Sequence, residues 1–314
     1  MTTAVRAFPR RRGAGAGGVR QRRVRDAIGG YLLISPWLVG FIIFTAGPML
    51  ASVYLSFTRY DLMSPPRWAG LYNYRHLITD TVFWQSLRAT AIYTLLGVPL
   101  RGALALAIAM LLNQKVRALP LFRTIFYLPS VVSGVAVAIL WMWLLSPEFG
   151  LVNLLLSKIG IVGPRWLFDQ KTALFALIIM SLWGVGSEMV IFLAALQGVP
   201  QHLYEAADVE GATRIQKNWY VTLPSISPSI FFVLVMGVIG SFQVFTAGFV
   251  MTDGGPNNST LFYVLNLYRN AFQFLKMGYA SALAWVLFAI IMVCTVAVFR
   301  FSAAWVYYEG ELKK

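Results

Sequence analysis

Six long apolar stretches are the feature of this sequence that most limits its possible folds. They cover about residues 31–57, 87–112, 126–145, 172–196, 226–251 and 279–299. Each has about 20 residues or more, which is the length that a helix needs to cross a bilayer. None alternates as a barrel strand does, and lipid admits only helices and closed barrels as spanning elements. The sequence therefore predicts an all-α integral membrane protein with six transmembrane helices.

The composition excludes most soluble classes of protein. Hydrophobic residues make up 58% of the chain and charged residues only 12%, which is too little polar surface to coat a water-soluble globule. The net charge of +14 comes from arginines near the N-terminus and from loops, so we interpret it as membrane topology and not as nucleic-acid binding. The single cysteine, Cys294, lies in an apolar stretch and forms no metal-ligand cluster. We expect no cofactor and no metal in this chain.

The charge distribution predicts the orientation in the membrane. Residues 1–28 carry eight arginines without apolar periodicity, which predicts a disordered basic tail that anchors the N-terminus in the cytoplasm or binds anionic lipid. Six crossings place both termini on one side, and choosing the cytoplasm puts 16 Lys and Arg there against nine outside. We expect a transmembrane domain over residues 29–305, a cytoplasmic C-terminal tail over 306–314, and a multi-pass protein of the cell membrane.

A polar segment of mixed charge, residues 197–224, separates the fourth and fifth apolar stretches and falls on the cytoplasmic side in this topology. Its carboxylates alternate with small residues, which allow another surface to approach closely. Gly211 is a plausible helix break, and Pro224 marks the point where the next helix enters the membrane. By composition alone the segment is either an ordinary loop with an interfacial helix or a docking element.

The spacing within this segment resembles that of a known family. Glu205-Ala206-Ala207, three residues, Gly211, nine residues and then Val221-Thr222-Leu223-Pro224 are similar to the EAA loop of permease subunits of bacterial ATP-binding-cassette (ABC) importers. The one departure is Val221, where isoleucine is usual. The resemblance implies the six-helix fold of these permeases, with a cytoplasmic coupling helix inside the loop.

Three further motifs resemble the carbohydrate-uptake branch of that family. They are the Gly-Leu-x-Asn-Tyr pattern at 70–74, Leu-Pro at 128–129, and Thr-x-Gly-Gly-Pro at 252–256. Within the branch, the chain is similar to compact six-span permeases of the maltose type. The resemblance implies half of a translocation path for an oligosaccharide or related sugar. A glycerol-phosphate permease resembles this branch too and is the alternative, while a stand-alone secondary transporter would show internal repeats that are not apparent here.

The resemblance also implies a division of labour between subunits. The coupling helix would dock into a cytoplasmic ATPase dimer through Glu205, Ala206, Ala207, Asp208, Gly211, Leu223 and Pro224. The chain has no Gly-x-x-x-x-Gly-Lys-[Ser/Thr] phosphate loop, so we expect a transport subunit and no enzyme, with ATP and Mg²⁺ on the ATPase. The other expected partners are a second homologous permease, an extracytoplasmic solute-binding protein and membrane lipid, and no nucleic acid.

A sugar crossing the bilayer needs hydrogen-bonding groups and aromatic faces at membrane depth. Arg101 and Glu188 lie about 18 and 14 Å from the cytoplasmic ends of their stretches, at about 1.5 Å per residue. We therefore expect them to pair or to face one aqueous cavity. The alternatives are a purely structural pair or an arginine that extends toward an interface.

Similarity to the maltose-type permease adds further candidates for the path, near its Leu-Pro, EAA and Gly-Gly-Pro motifs. With Arg101 and Glu188, the candidates are Ser130, Gly134, Trp183, Gly184, Ser187, Gly240, Ser241 and Gln243, and Gly237 and Val244 occupy neighbouring positions. Glycine and valine replace several polar contacts of the maltose protein, for which Gln243 and Glu188 are possible substitutes. Small residues also allow close helix packing, and Trp183 either stacks on a sugar or packs in the bundle.

Overall fold

The computed structural model describes residues 16–114 and 118–307, with side chains described from residue 28 onward. The described residues are largely helical, with one short two-stranded antiparallel sheet. The elements are α1 (Ala16–Phe41), a π-helix (Ile42–Ala46), α2 (Gly47–Ser56), β1 (Thr58–Arg59), β2 (Arg67–Trp68), α3 (Tyr72–Thr79), α4 (Thr81–Leu112), α5 (Leu119–Val131), α6 (Gly134–Leu144), α7 (Leu151–Lys158), α8 (Ala173–Trp183), α9 (Gly186–Gln197), α10 (Gln201–Val209), α11 (Arg214–Lys217), a π-helix (Asn218–Thr222), α12 (Leu223–Ser225), α13 (Ser227–Phe242), a π-helix (Gly248–Thr252), α14 (Tyr263–Tyr268), a π-helix (Arg269–Gln273) and α15 (Met277–Ser302).

The described residues form two compact units, which divide between Tyr54 and Leu55. In the first unit, α1 begins at Ala16, so the prediction of a disordered tail over 1–28 is wrong from that residue onward. Residues 19–28 contain no glycine or proline and include four arginines, which favour helix even without an apolar period. The remainder of that predicted tail, and residues 308–314 of the C-terminal tail, lie outside the described residues.

The spanning helices agree with the predicted stretches in number but not in straightness. Among the described residues, three helices are long and apolar enough to cross a membrane: Ile28–Ser56, Thr81–Leu112 and Met277–Ser302. Three bent pairs of helices pass the same test when each pair is counted as one span, which makes up to six. The prediction of an all-α membrane protein is thus confirmed.

Each bent pair breaks over one or two residues. The third span bends by 99° between α5 and α6, where the backbone of Val132 is extended. The fourth bends by 47° between α8 and α9, at Gly184. The fifth enters through α12 and bends by 65° at Ile226, next to Pro228, which lacks the N–H that a continuing helix needs. The predicted single helix over 226–251 is also wrong at its other end, because α13 stops at Phe242.

The connections between the spans also contain regular structure. The short sheet and α3 follow α2, α7 lies between the third and fourth spans, and α14 lies between the fifth and sixth. The α14 residue Tyr263 is fully buried, its backbone N–H donates to Thr90 Oγ1 at 2.8 Å, and its hydroxyl donates to the Leu283 carbonyl at 2.9 Å. A tyrosine that joins α4 and α15 in this way makes the segment part of the core and not a surface connection.

The long helix α4 lies at the centre of the second unit, where it packs against α8, α9, α13 and α14. Ala105 and Ala109 of α4 are completely buried in a cluster with Met189 and Phe192 of α9. Small side chains on one helix let the neighbouring backbone approach closely, which is how helices in a membrane gain packing energy. The result is that the middle of α4 is held against the break between α8 and α9.

Candidate solute path and coupling surface

Arg101, in the middle of α4, bridges the break between α8 and α9. Its guanidinium donates to the backbone carbonyls of Ser181 at 3.1 Å and Gly184 at 3.3 Å, at the C-terminal end of α8. It also forms an ion pair of 2.5 Å with the carboxylate of Glu188, in the first turn of α9. The predicted pairing of these two residues is confirmed, and the alternative of an arginine extended toward an interface is excluded.

The electrostatics of the helix break explain why a charged pair is stable at this depth. The last carbonyls of a helix lack intrahelical partners and carry partial negative charge, which the Arg101 guanidinium satisfies at the end of α8. The first turn of a helix favours an anion, which is the position of Glu188 in α9. Each charge is thus stabilised by a helix end as well as by the other charge.

The pair lies between two neighbouring cavities and contributes to the lining of both. One has a volume of about 550 Å³ and the other about 620 Å³. Both cavities are also lined by Tyr93, Ser187 and Val244. Glu188 Oε2 is buried and has no hydrogen-bond partner among the described residues, so the carboxylate keeps an acceptor free beside these cavities.

All ten residues predicted to form the solute path line one or both of these cavities. Arg101, Ser187 and Glu188 line both; Gly240 and Ser241 line the smaller one; and Ser130, Gly134, Trp183, Gly184 and Gln243 line the larger one. The structure therefore brings together residues from four separate stretches of sequence. That they contact solute stays a prediction.

Some of the small residues also serve helix packing. A Cβ atom added at Gly237 would lie 2.9 Å from Cγ1 of Val98, so this glycine lets α13 approach α4. Gly240 has open space around its missing Cβ, which fits a residue that keeps the cavity wide. Trp183 is 38% exposed and packs edge-on against Trp141, with ring centroids 6.4 Å apart, so part of its ring faces the cavity while part packs in the bundle.

Tyr93, Phe245 and Thr246 are among the residues of the cavities that sequence reasoning missed. Tyr93 is buried between the cavities, and Phe245 and Thr246 lie in the break that follows α13. The fifth stretch is apolar on average, so its mean hydropathy predicts one continuous span. The polar residues of Ser241-Phe242-Gln243, directly before the break, are the signal that sequence reasoning could have used.

The predicted coupling loop folds into two short helices on either side of Gly211. α10 carries Glu205, Ala206, Ala207 and Asp208, and it ends in a turn where Gly211 has a φ of +76°. Few residues other than glycine adopt this conformation without strain. The N–H of Ala212 then donates to the Ala207 carbonyl at 2.9 Å, which closes the end of the helix. The predicted break at Gly211 is confirmed.

The polar contacts of this loop are local. Gln201 donates to the carboxylate of Glu205 at 2.9 Å, and Lys217 pairs with Asp208 at 2.6 Å. Leu223 differs from the other predicted coupling residues, because it packs against a buried cluster at the ends of α4 and α9. We therefore interpret Leu223 as an anchor of the loop, while Glu205, Ala206 and Asp208 are exposed.

Two exposed apolar side chains add to this surface and were missed as candidates. Val209, at the end of α10, is 90% exposed, and Ile215, in α11, is 71% exposed. Large exposed apolar residues next to exposed carboxylates are typical of a surface that another protein covers. Val209 lies two residues after the Glu205-Ala206-Ala207 motif, and this position is the signal by which sequence reasoning could have found it.

Comparison with known proteins independently supports the resemblance of this chain to permeases of ABC importers. Residues 102–308 match the family described as "Binding-protein-dependent transport system inner membrane component". The probable ABC transporter permease protein YesP of Bacillus subtilis (strain 168) is 44% identical over 306 residues, which cover 95% of this chain and 99% of the relative. The arabinooligosaccharides transport system permease protein AraP of Halalkalibacterium halodurans is 35% identical, over 90% of this chain and 88% of the relative.

A solved structure supports the fold as well. One chain of a bacterial ABC transporter involved in the import of the acidic polysaccharide alginate is 26% identical to this chain. The similarity covers 90% of this chain and 99% of that one, with a TM-score of 0.78. The resemblance of the 205–224 segment to ABC-importer permeases is thereby confirmed. The chain belongs to the family of binding-protein-dependent transport system inner membrane components.

Proposed function

We propose that this chain forms half of the translocation path of an ATP-driven importer for an oligosaccharide or a related carbohydrate. The observation that carries the proposal is the meeting of polar and aromatic side chains from four spans around two adjoining cavities. Hydroxyl, amide and carboxylate groups beside an exposed tryptophan ring are what a sugar needs to leave water. The names of relatives such as AraP, an arabinooligosaccharide permease, support the same class of solute.

The family and the loop over 197–224 support a set of three proposed partners. A binding-protein-dependent system requires a solute-binding protein, which would deliver the sugar on the outer side. A second homologous permease would complete the path, and a cytoplasmic ATPase dimer would bind ATP and Mg²⁺ and dock on the exposed Glu205-Ala206-Ala207 surface. With the coupling loop on the cytoplasmic side and six crossings, both termini of the chain would lie in the cytoplasm. In this division of labour the chain itself catalyses no reaction.

The connectivity suggests how ATP hydrolysis would move the path. α9 carries Glu188 in its first turn and ends at Gln197, directly before the coupling loop. The loop then continues through α12 into α13, which carries Gly240 and Ser241. A displacement of the docked loop would therefore shift both helices against α4. Because Arg101 holds the break between α8 and α9, this break is the natural hinge.

The pairing of Arg101 disfavours a phosphorylated solute. A phosphate dianion binds best to several unpaired cations. In the described residues that line the two cavities, Arg101 is the only cation, and Glu188 already neutralises it. A glycerol-phosphate permease is therefore the weaker candidate.

The test measures ATP-driven uptake of radiolabelled oligosaccharides by proteoliposomes. These contain this chain, the second permease and the ATPase dimer, and the solute-binding protein is added to them. Glu205→Lys reverses the charge at the docking surface, so we expect uptake to fall at least about tenfold, which corresponds to about 1.4 kcal/mol. Less ATPase should co-purify with the permease as well.

The matched control is Glu148→Lys, the same charge reversal outside the coupling loop. It should leave uptake and ATPase recovery within about twofold of the wild type, a difference of about 0.4 kcal/mol. Unchanged coupling in Glu205→Lys would count against docking through this loop. Absence of uptake of every carbohydrate by the wild type would overturn the proposed function itself.

A further inference from the structure

A third cavity, of about 500 Å³, lies apart from the residues discussed so far. It is formed where the N-terminal ends of α4 and α8 meet the loop that follows Pro256. These three segments all emerge on the side opposite the coupling loop in the proposed topology, because an odd number of crossings separates each of them from that loop: three for the start of α4 and one for each of the other two. None of the ten residues of the proposed solute path lines it. The cavity therefore opens at the outer mouth of the protein.

Side-chain amides from the three segments meet in this cavity. Asn258 donates to the Gln85 carbonyl oxygen at 2.9 Å, and Asn257 donates to that of Gln170 at 3.4 Å. Both asparagines have positive φ, of +58° and +49°, a conformation that asparagine tolerates better than most residues. The backbone thus places two amides side by side, facing two others across the cavity.

Several polar groups that line this cavity have unused hydrogen-bonding capacity. Each bond uses the NH₂ of the asparagine and the oxygen of the glutamine, so within the described residues the NH₂ groups of Gln85 and Gln170 have no partner. The hydroxyl of Ser259, which also lines the cavity, is buried without a hydrogen-bond partner in the described structure. A buried hydroxyl without a partner is costly, and a ligand in the cavity would satisfy it.

The charge of the cavity is positive. Arg88 and Lys171 line it, both are exposed, and neither forms an ion pair with a described residue. The nearby Asp169 accepts from the backbone N–H of Lys171 at 2.9 Å, but its carboxylate does not pair with the ammonium. The inner cavities differ, because Glu188 balances Arg101 there. The outer cavity is thus the place where the charge of a solute can be recognised.

We propose that this outer cavity is a first binding site for a carboxylate-bearing oligosaccharide before it enters the inner path, an assignment that rests on the proposed carbohydrate transport. The amides of Gln85, Gln170 and Asn257 bind sugar hydroxyls, since an amide donates and accepts at once. Arg88 and Lys171 bind the carboxylates. Phe175, which is 53% exposed at the cavity, offers an apolar face to a sugar ring.

The test measures equilibrium binding of an alginate trisaccharide and of neutral maltotriose to the assembled transporter in lipid nanodiscs without ATP. Arg88→Gln and Lys171→Gln should each raise the Kd of the alginate trisaccharide about fivefold, and the double variant about 25-fold, since the two contacts are separate. The Kd of maltotriose should change less than about twofold, because neutral sugars lack the carboxylate. Gln85→Ala should weaken both probes alike.

The control variant is Lys158→Gln, which removes the same charge from exposed α7 outside this cavity, and it should bind both probes as the wild type does. Three outcomes would overturn the outer site while import continues. They are unchanged binding of the alginate trisaccharide in the double variant, an equal loss for maltotriose, or a loss confined to affinity for the solute-binding protein. Absence of ATP-driven import of every carbohydrate would instead overturn the proposed function.

Discussion

The coupling loop and the Arg101–Glu188 pair use charge in opposite ways. In the loop, Asp208 pairs with Lys217, nine residues away, and 61% of the Asp208 side chain is exposed. In the path, the pair joins residues 87 apart, and both side chains are less than one third exposed. Exposed charges contribute little to stability and stay available to a partner, whereas half-buried charges depend on each other. Variants of the path should therefore destabilise the protein, and variants of the loop should affect mainly its partners.

The largest effect on stability is expected for Arg101→Gln. The substitution leaves the Glu188 carboxylate without its charged partner and removes the guanidinium donors to the Ser181 and Gly184 carbonyls, which we expect to cost about 2 kcal/mol because both side chains of the pair are partly exposed. Thermal unfolding of the purified transporter in detergent measures the loss.

Glu188→Gln in the Arg101→Gln background tests whether the two charges act together. The double variant leaves no unpaired charge. Its loss of stability should therefore be smaller than the sum of the losses in the two single variants. If the two losses simply add, the charges do not stabilise each other at the hinge.

The next largest effect is expected for Gly186→Ala, at the start of α9. The added Cβ would lie 2.8 Å from backbone atoms of Phe126 and Tyr127, so α5 must move. Overpacking of this kind costs about 1.5 kcal/mol. Gly184→Ala is the matched control, since the nearest neighbour of its Cβ would lie at 3.9 Å. Equal unfolding temperatures for the two variants would contradict close packing at this break.

A smaller effect is expected for Gly211→Ala in the coupling loop. Alanine at a φ of +76° is strained by about 1 kcal/mol. We expect the turn to change its conformation to relieve this strain, so that α10 no longer ends in the same way. The main result should be weaker binding of the ATPase. Co-purification of the ATPase measures it, with Gly198→Ala, at a φ of −82°, as the control. Full ATPase recovery would show that the turn at Gly211 does not position α10.

The smallest effect is expected for Lys217→Gln, which removes the pair with Asp208, whose side chain is 61% exposed although that of Lys217 is only 21% exposed. Such pairs contribute about 0.5 kcal/mol, so the unfolding temperature should stay close to that of the wild type and respond little to salt. If Lys217→Gln lowered the unfolding temperature as much as Arg101→Gln, charges in the loop and in the path would contribute equally to stability, and the contrast between the two regions would be wrong.

Local patterns were sufficient for the coupling loop. Its predicted coupling residues lie within 20 residues of each other, its helix break falls at Gly211, and its polar contacts are made within the loop. The six apolar stretches likewise predicted the membrane class and the number of crossings, because bilayer thickness sets the length of a spanning helix. Depth in the membrane, counted along each stretch, was enough to predict that Arg101 and Glu188 meet.

The tertiary structure decided the rest. Hydropathy does not distinguish a straight span from one bent by 99°, because both halves of a broken helix are equally apolar. Nor does it show that Tyr263 is buried between α4 and α15, or that Asn257, Gln85 and Gln170 meet at one cavity. These features depend on contacts between residues far apart in the chain. The periodicity of the sequence around each residue does not predict such contacts. The sequence by itself determined which residues enter the membrane and which face water, since that is a local property of each side chain; which of them share a cavity was decided by helix packing.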